Sequence, residues 1–195
     1  MRNLVIFFYV LIIPTLLMFN SGCKSQKEPV MPVTNSPEPF TLTSSSFSEG
    51  AAIPDKYSSK GGNMSPQLAW KTPPVGVKSY ALICDDPDAP VGIWTHWVIF
   101  NIPASVSELP AGFPEEIAAT SPAYGALQGA NSGKHNRYDG PQPPSGTHHY
   151  HFRLYALDIA LLPDLKTGAG LESVKTAIEQ HKIGMASLMG TFSAK

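Results

Sequence analysis

The sequence predicts a mainly β protein with few helices, on three observations. Gly 16 and Pro 19 together make about 18% of the 195 residues, well above the usual ~12%. These turn-formers lie between apolar runs with strand character. Only one segment shows a helical spacing of apolar side chains. With 43% hydrophobic and 15% charged residues, the chain is too apolar for general disorder. Its length suits one domain of ordinary size. The 14 basic and 15 acidic residues form no run and leave a formal charge of −1, which argues against an electrostatic grip on nucleic acid.

The first element is an address. Residues 4–19, LVIFFYVLIIPTLLMF, are an apolar run preceded by Arg2 and interrupted by Pro14. A bilayer span needs ~20 residues, so a secretory signal fits better. Its exit, Asn20-Ser21-Gly22-Cys23, resembles the lipobox of bacterial lipoproteins. That resemblance implies cleavage after residue 22, lipidation of Cys23 with acyl chains such as palmitate, and a place on a membrane of the bacterial cell envelope, outside the cytoplasm. Asn20 departs from the pattern, in which an aliphatic residue is usual. An uncleaved anchor and an ordinary secretory signal stay open as alternatives. Residues 23–39 then read as a Pro-rich tether, and 40–195 as one domain. At about 3.1 Å per residue, such a tether reaches up to ~50 Å.

Within the domain, Lys78 to Asp85 is β-rich and ends in a Pro-Asp-Ala-Pro turn. Cys84 sits inside that run, where a buried inert thiol is expected. Trp94 to Asn101 is dense in β-branched and aromatic residues. His149 to Leu157 follows a Pro-Pro-Ser-Gly turn, and a short strand is expected at Leu188 to Phe192. Leu171 to His181 is the helix, with Leu171, Val174 and Ile178 on one stripe. Residues 121–147 form a long Gly- and Pro-rich stretch, of the kind that carries function or is disordered.

Three segments carry chemistry. Asp85-Asp86-Pro87-Asp88-Ala89-Pro90 is, taken alone, a turn. In Trp94-Thr95-His96-Trp97, strand alternation puts Trp94, His96, Val98 and Phe100 on one face. In Gly146-Thr147-His148-His149-Tyr150-His151-Phe152, it puts His148, Tyr150, Phe152 and Leu154 together and His149, His151 and Arg153 opposite. Four residues that look like a metal cluster are thereby split between two faces, so no metal site and no cofactor are expected.

Taken in order, Asp86-Pro87-Asp88-Ala89-Pro90, Trp94-x-His96, Gly140-Pro141 and Gly146-x-His148-x-Tyr150 resemble the phosphatidylethanolamine-binding protein family, nearest its bacterial, Raf-kinase-inhibitor-like branch. Supporting pieces are Gly61-Gly62-Asn63-x-Ser65-Pro66, Leu68-Ala69-Trp70, Phe152-x-Leu154-Tyr155-Ala156-Leu157-Asp158 and Leu188-Met189-Gly190-Thr191-Phe192. The resemblance spans residues 40 to 192. It departs at His149, where bacterial members usually have Arg, and at Gln142, where Cys is frequent. It implies a β-sandwich of antiparallel and mixed strands with few short helices and one small anion pocket. Carried over by position, the lining would be Asp86, His96, Gly140, His148 and Tyr150, with Asp88 and Pro90 shaping the wall.

The residue chemistry agrees with that implication. Two imidazoles, a phenol and a glycine amide offer converging donors to an oxyanion. A carboxylate beside an imidazole fixes its tautomer and favours its cation. The expected function is a membrane-tethered binding protein for a small anionic or phosphorylated ligand, similar to a phospholipid head group. A regulatory protein docking on a protease or kinase is the alternative. Such a pocket also allows acid–base work, which makes a hydrolase using Asp86, His96 and His148 the lower alternative, yet there is neither a Gly-x-Ser-x-Gly elbow nor a His-Glu-x-x-His helix. No catalytic residue is therefore assigned.

Overall fold

The computed structural model describes residues 38–114 and 125–195. The expected signal peptide, Cys23, the tether as far as residue 37 and the first residues of the 121–147 stretch lie outside them. The described strands are β1 (Thr41–Thr43), β2 (Leu68–Lys71), β3 (Ser79–Asp86), β4 (Trp94–Pro103), β5 (Glu108–Leu109), β6 (Leu127–Gln128), β7 (Thr147–Leu157) and β8 (Lys182–Ser193). One helix, α1 (Leu171–His181), precedes β8, and a short 3-10 turn covers Asp55–Tyr57.

The strands form a three-stranded sheet, β1-β2-β5, and a five-stranded sheet, β6-β4-β3-β7-β8. All pairings between these strands are antiparallel. Among the described residues the parallel element is an isolated bridge, Ala52 to Thr191. One face of the large sheet presents Tyr80, Leu82, Trp97, Phe152 and Leu154 to Leu42, Leu68, Trp70 and Leu109 of the small sheet. Its other face presents Ala81, Ile83, Val98 and Phe100 to Val174, Ala177 and Ile178 of α1. Burying Val174 and Ile178 stabilises that docking by about 1.5–3 kcal/mol each. The fold is thus a mainly β sandwich with a helix on its outer face.

This layering explains the sequence pattern. β3 lies between β4 and β7 and is buried along its whole length. A strand covered on both faces reads as a continuous apolar run instead of an alternating one, as Tyr80 to Cys84 does. β7 has one face in the sandwich interior, and its alternation of His148, Tyr150, Phe152 and Leu154 against His149, His151 and Arg153 holds. On the outward side Arg153 pairs with Asp85. The terminal strand is longer than the expected Leu188 to Phe192, starting directly after the helix and pairing with β7 from Lys182 to Ser193.

The alternation expected for β4 fails at one residue. Cys84 pairs with Trp97, and Asp85 pairs with Thr95, which leaves His96 as an extra residue in a β-bulge. A bulge resets the side-chain phase. His96 therefore leaves the face of Val98 and Phe100, which pack on the helix, and joins Tyr150 on the sandwich side. A second irregularity sets Phe100 and Asn101 against Ala81, with Asn101 at φ +57°. Its Oδ1 accepts a hydrogen bond from the Leu162 amide at 2.8 Å.

Candidate functional site

β3 runs out at Asp86 where β4 and β7 begin, so one end of the large sheet collects Asp86, His96, His148 and Tyr150. They line a cavity of about 430 Å³, together with Pro90, Trp94, Asn63, Gly140 and residues of the 133–144 loop. That volume suits a small molecule or head group.

Asp86 organises the floor. Its Oδ2 lies 2.7 Å from His148 Nδ1, with both side chains buried. Its Oδ1 accepts the Asp88 amide at 2.8 Å, which closes the turn after β3. The carboxylate fixes the proton of His148 on Nδ1, so Nε2 is the nitrogen left for a ligand. His96 is held the same way by another group. Its Nδ1 donates to the Asp139 carbonyl at 2.7 Å, again leaving Nε2. Burial pushes the His96 imidazole below its ordinary value of 6.5, partly offset by that carbonyl and by the Asp86, Asp139 and Asp85 charges. The His96 and Tyr150 rings meet edge to face, 5.1 Å between centroids.

Tyr150 is buried, and among the described residues its hydroxyl has no hydrogen bond of regular geometry. Burial and the Asp86 charge push the phenol well up, so it stays a donor. Asp86 and the Gln142 backbone stand close enough to act on it as weak partners. Here it sits in the wall of a cavity.

Two expected site residues have other duties. Asp88 is outside the lining; its Oδ2 accepts the His149 amide at 2.8 Å and the His149 ring at 2.7 Å, and these bonds hold its carboxyl below the usual range. It braces the start of β7 from the far side. Gly140 does line the cavity, but its amide already donates to Asn63 Oδ1 at 2.7 Å. It is therefore not a free donor for an anion. Its glycine character has a different origin: a Cβ there would stand 2.3 Å from the Tyr57 carbonyl oxygen.

The sequence reading missed the loop that forms the other wall. Asp139 accepts from Asn131 Nδ2 at 2.8 Å, pairs with His135 Nδ1 at 2.8 Å and accepts from Arg137 Nε at 3.2 Å. Burial pushes its carboxyl up, but those three bonds outweigh it and hold the group below its ordinary value. The Asp139 amide donates to the His96 carbonyl at 2.9 Å. His135, Arg137 and Asp139 all reach the cavity. Their signal was present as closely spaced charges, Lys134 to Asp139, in a chain otherwise poor in charge. In the described part of the Gly- and Pro-rich stretch, residues 125–147, β6 pairs with β4.

Cys84 is buried next to this floor, and burial together with Asp85 and Asp86 pushes its thiol far up. That fits the inert thiol expected. Among the described residues no group of three or more His, Cys, Asp or Glu is placed to hold a metal.

Comparison with known proteins decides the family. The family model for phosphatidylethanolamine-binding protein matches residues 43–193. The chain belongs to the phosphatidylethanolamine-binding protein family. A UPF0098 protein of Methanothermobacter thermautotrophicus is 48% identical over 153 residues, covering 78% of this chain and 98% of its own. A Mycobacterium tuberculosis relative with a lipoprotein name, LppC, is 41% identical over 158 residues, 80% of this chain and 73% of its own. Among solved structures, Escherichia coli YbcL, described as a new member of the mammalian phosphatidylethanolamine-binding family, superposes with a TM-score of 0.74 at 32% identity. It is matched over 80% of this chain and 99% of its own. The sandwich is thus that of the family.

Proposed function

We propose that this family member is a membrane-tethered binding protein that holds a small anionic or phosphorylated ligand, similar to a phospholipid head group, between His96, His148 and Tyr150. The carrying observation is a cavity onto which the buried Tyr150 hydroxyl opens and where two imidazoles have Nδ1 committed and Nε2 left over. The lipoprotein name of the mycobacterial relative supports the tether.

The tautomers set the sign of the pH dependence. With both rings neutral, each Nε2 is an acceptor and repels an anion's lone pairs. Protonation turns each into a donor. An anion therefore favours the imidazolium form, which at His96 opposes the lowering by burial. Affinity is greatest at low pH and declines as pH rises. Burial holds the free-state value of His96 below its ordinary one, so a bound anion has to offset that cost.

Sulfate or glycerophosphoethanolamine should bind more tightly at about pH 5.5 than at pH 8.5, on either side of the ordinary histidine value. Neither ligand changes charge in that range. Calorimetry and histidine NMR on wild type, His96→Ala and His148→Ala test this. Equal affinity at both pH values, or full binding in both variants, removes these residues from the site.

A further inference from the structure

β8 forms one edge of the large sheet, and only part of that edge is covered. The Thr191 amide donates to the Ala51 carbonyl, and the Thr191 carbonyl accepts from the Ile53 amide. Two residues back, the Met189 carbonyl accepts from the Gly50 amide and the Met189 amide donates to the Glu49 carboxylate at 2.9 Å. Thr191 and Met189 thus turn their backbone groups away from β7. The pairing with β7 is unbroken from Ser193 back to Gly184, so Ser187 and Met185 turn theirs the same way. Among the described residues no strand pairs with them on that side.

Along this bare stretch runs a groove of about 640 Å³, with Phe40, Leu42 and Phe47 on one side and Met185, Ala186 and Leu188 on the other. Met185 is 49% exposed. Residues 183–189, IGMASLM, hold neither a charge nor a proline. An apolar edge without such guards is a template for another strand, and native proteins cover it.

The chain brings a candidate strand to this place. Phe40 is next to the bare edge, since a Cβ on Gly184 would stand 3.8 Å from its ring. Just before it, the Pro-rich tether carries its three aliphatic side chains together, in Val30-Met31-Pro32-Val33-Thr34. Asn35-Ser36-Pro37 follows, a run of turn-formers. From Phe40 to Glu49 the chain passes from beside Gly184 to beside Met189. A segment that doubles back before Phe40 therefore runs antiparallel to β8.

We infer that Val30–Thr34 adds to the free edge of β8 as a further antiparallel strand, with Val33 opposite Met185 and Met31 opposite Ser187. Pro32 sets this register. Proline has no N–H to give and is kept in sheets to positions that face water. With Pro32 turned outward, Met31 and Val33 turn their backbone groups inward, two residues apart, as Ser187 and Met185 are. Val30 and Pro32 then lie opposite Leu188 and Ala186, over the groove. Attachment a few residues away gives this segment an effective concentration on the order of millimolar, which favours it over a second copy or a free peptide. The docking is independent of what the ligand cavity holds. Its consequence rests on the tethered reading above: only residues 23–29 stay free, and their reach is about 22 Å instead of ~50 Å.

Hydrogen exchange on the full chain as it is expressed tests this. The Met185 and Ser187 amides should be protected. Met31→Pro with Val33→Pro removes both N–H donors of the added strand and changes no residue of the described domain. In that variant, exchange at 185 and 187 should quicken about tenfold or more, with β3 and β7 unchanged. Pro32→Ala should keep the wild-type protection. Exchange at 185 and 187 that is as fast in the wild type as in the double-proline variant overturns the inference. Protection that survives in the variant overturns it too. If that protection rises with protein concentration, a second copy covers the edge; if it does not, the domain guards the edge unaided. Acceleration that spreads through β3 and β7 would mean that the segment supports the whole fold, and the assignment to one edge is lost.

Discussion

Single atoms decide what Gly140 and His96 can do. A methyl group at residue 140 would press on the Tyr57 carbonyl and the Ser58–Ser59 peptide, which are backbone and cannot step aside as a side chain would. Gly140→Ala should cost at least about 1–3 kcal/mol in denaturant unfolding, with the m-value unchanged. A wild-type midpoint would show that the two segments separate freely. His96 acts on stability through its proton. Because burial depresses its folded-state value below 6.5, the unfolded chain binds the proton more readily. The sign follows from linkage: this contribution is fully present above about pH 6.5 and is lost as pH falls through the lower folded value. An anion that prefers the protonated ring opposes the loss. Sulfate should thus raise the melting temperature more at acidic pH than at alkaline pH, by mass action on the native state. A sulfate effect independent of pH would mean that it binds elsewhere.

At the scale of elements, the wall loop and β4 behave as one unit because both polar backbone groups of Asp139 are bonded to His96 while its side chain gathers Asn131, His135 and Arg137. Asp139→Ala should cost about 1–3 kcal/mol once partial exposure is allowed for, and amide exchange should accelerate over 131–139 with β3 and β7 still protected. Loss of protection throughout the sheet would show that the loop is no separate unit. The Asp139 carboxyl, held below 3.8, contributes stability above that value and loses it as pH falls further. Its acid limb is therefore distinct from that of His96. These elements also mark how far the sequence could be read. β3, β7 and α1 were legible because period and burial coincide: α1 spans the predicted Leu171 to His181. The His96 bulge was not, because an extra residue in one strand leaves no trace in that strand's own pattern and is defined only against its partner. The Asp139 network was hidden for a related reason. Its contact with His96 spans 43 residues, and one sequence does not say which loop folds over which strand. Asp88 and Gly140 were placed near the cavity by position along the chain, but their partners, His149 and Asn63, could be learned only from the fold.

For the whole molecule, the remaining variable is how the domain is presented to its ligand. A cavity whose floor binds an anion works equally well in free solution, so the proposed tether has to act through concentration and orientation. If Cys23 carries two or three acyl chains, attachment is stable, whereas one chain would be marginal. Expression of wild type and Cys23→Ser in a bacterial host, followed by fractionation, should find the wild type in the membrane and the variant released. Retention of both would make the apolar segment 4–19 itself the anchor and end the lipoprotein reading.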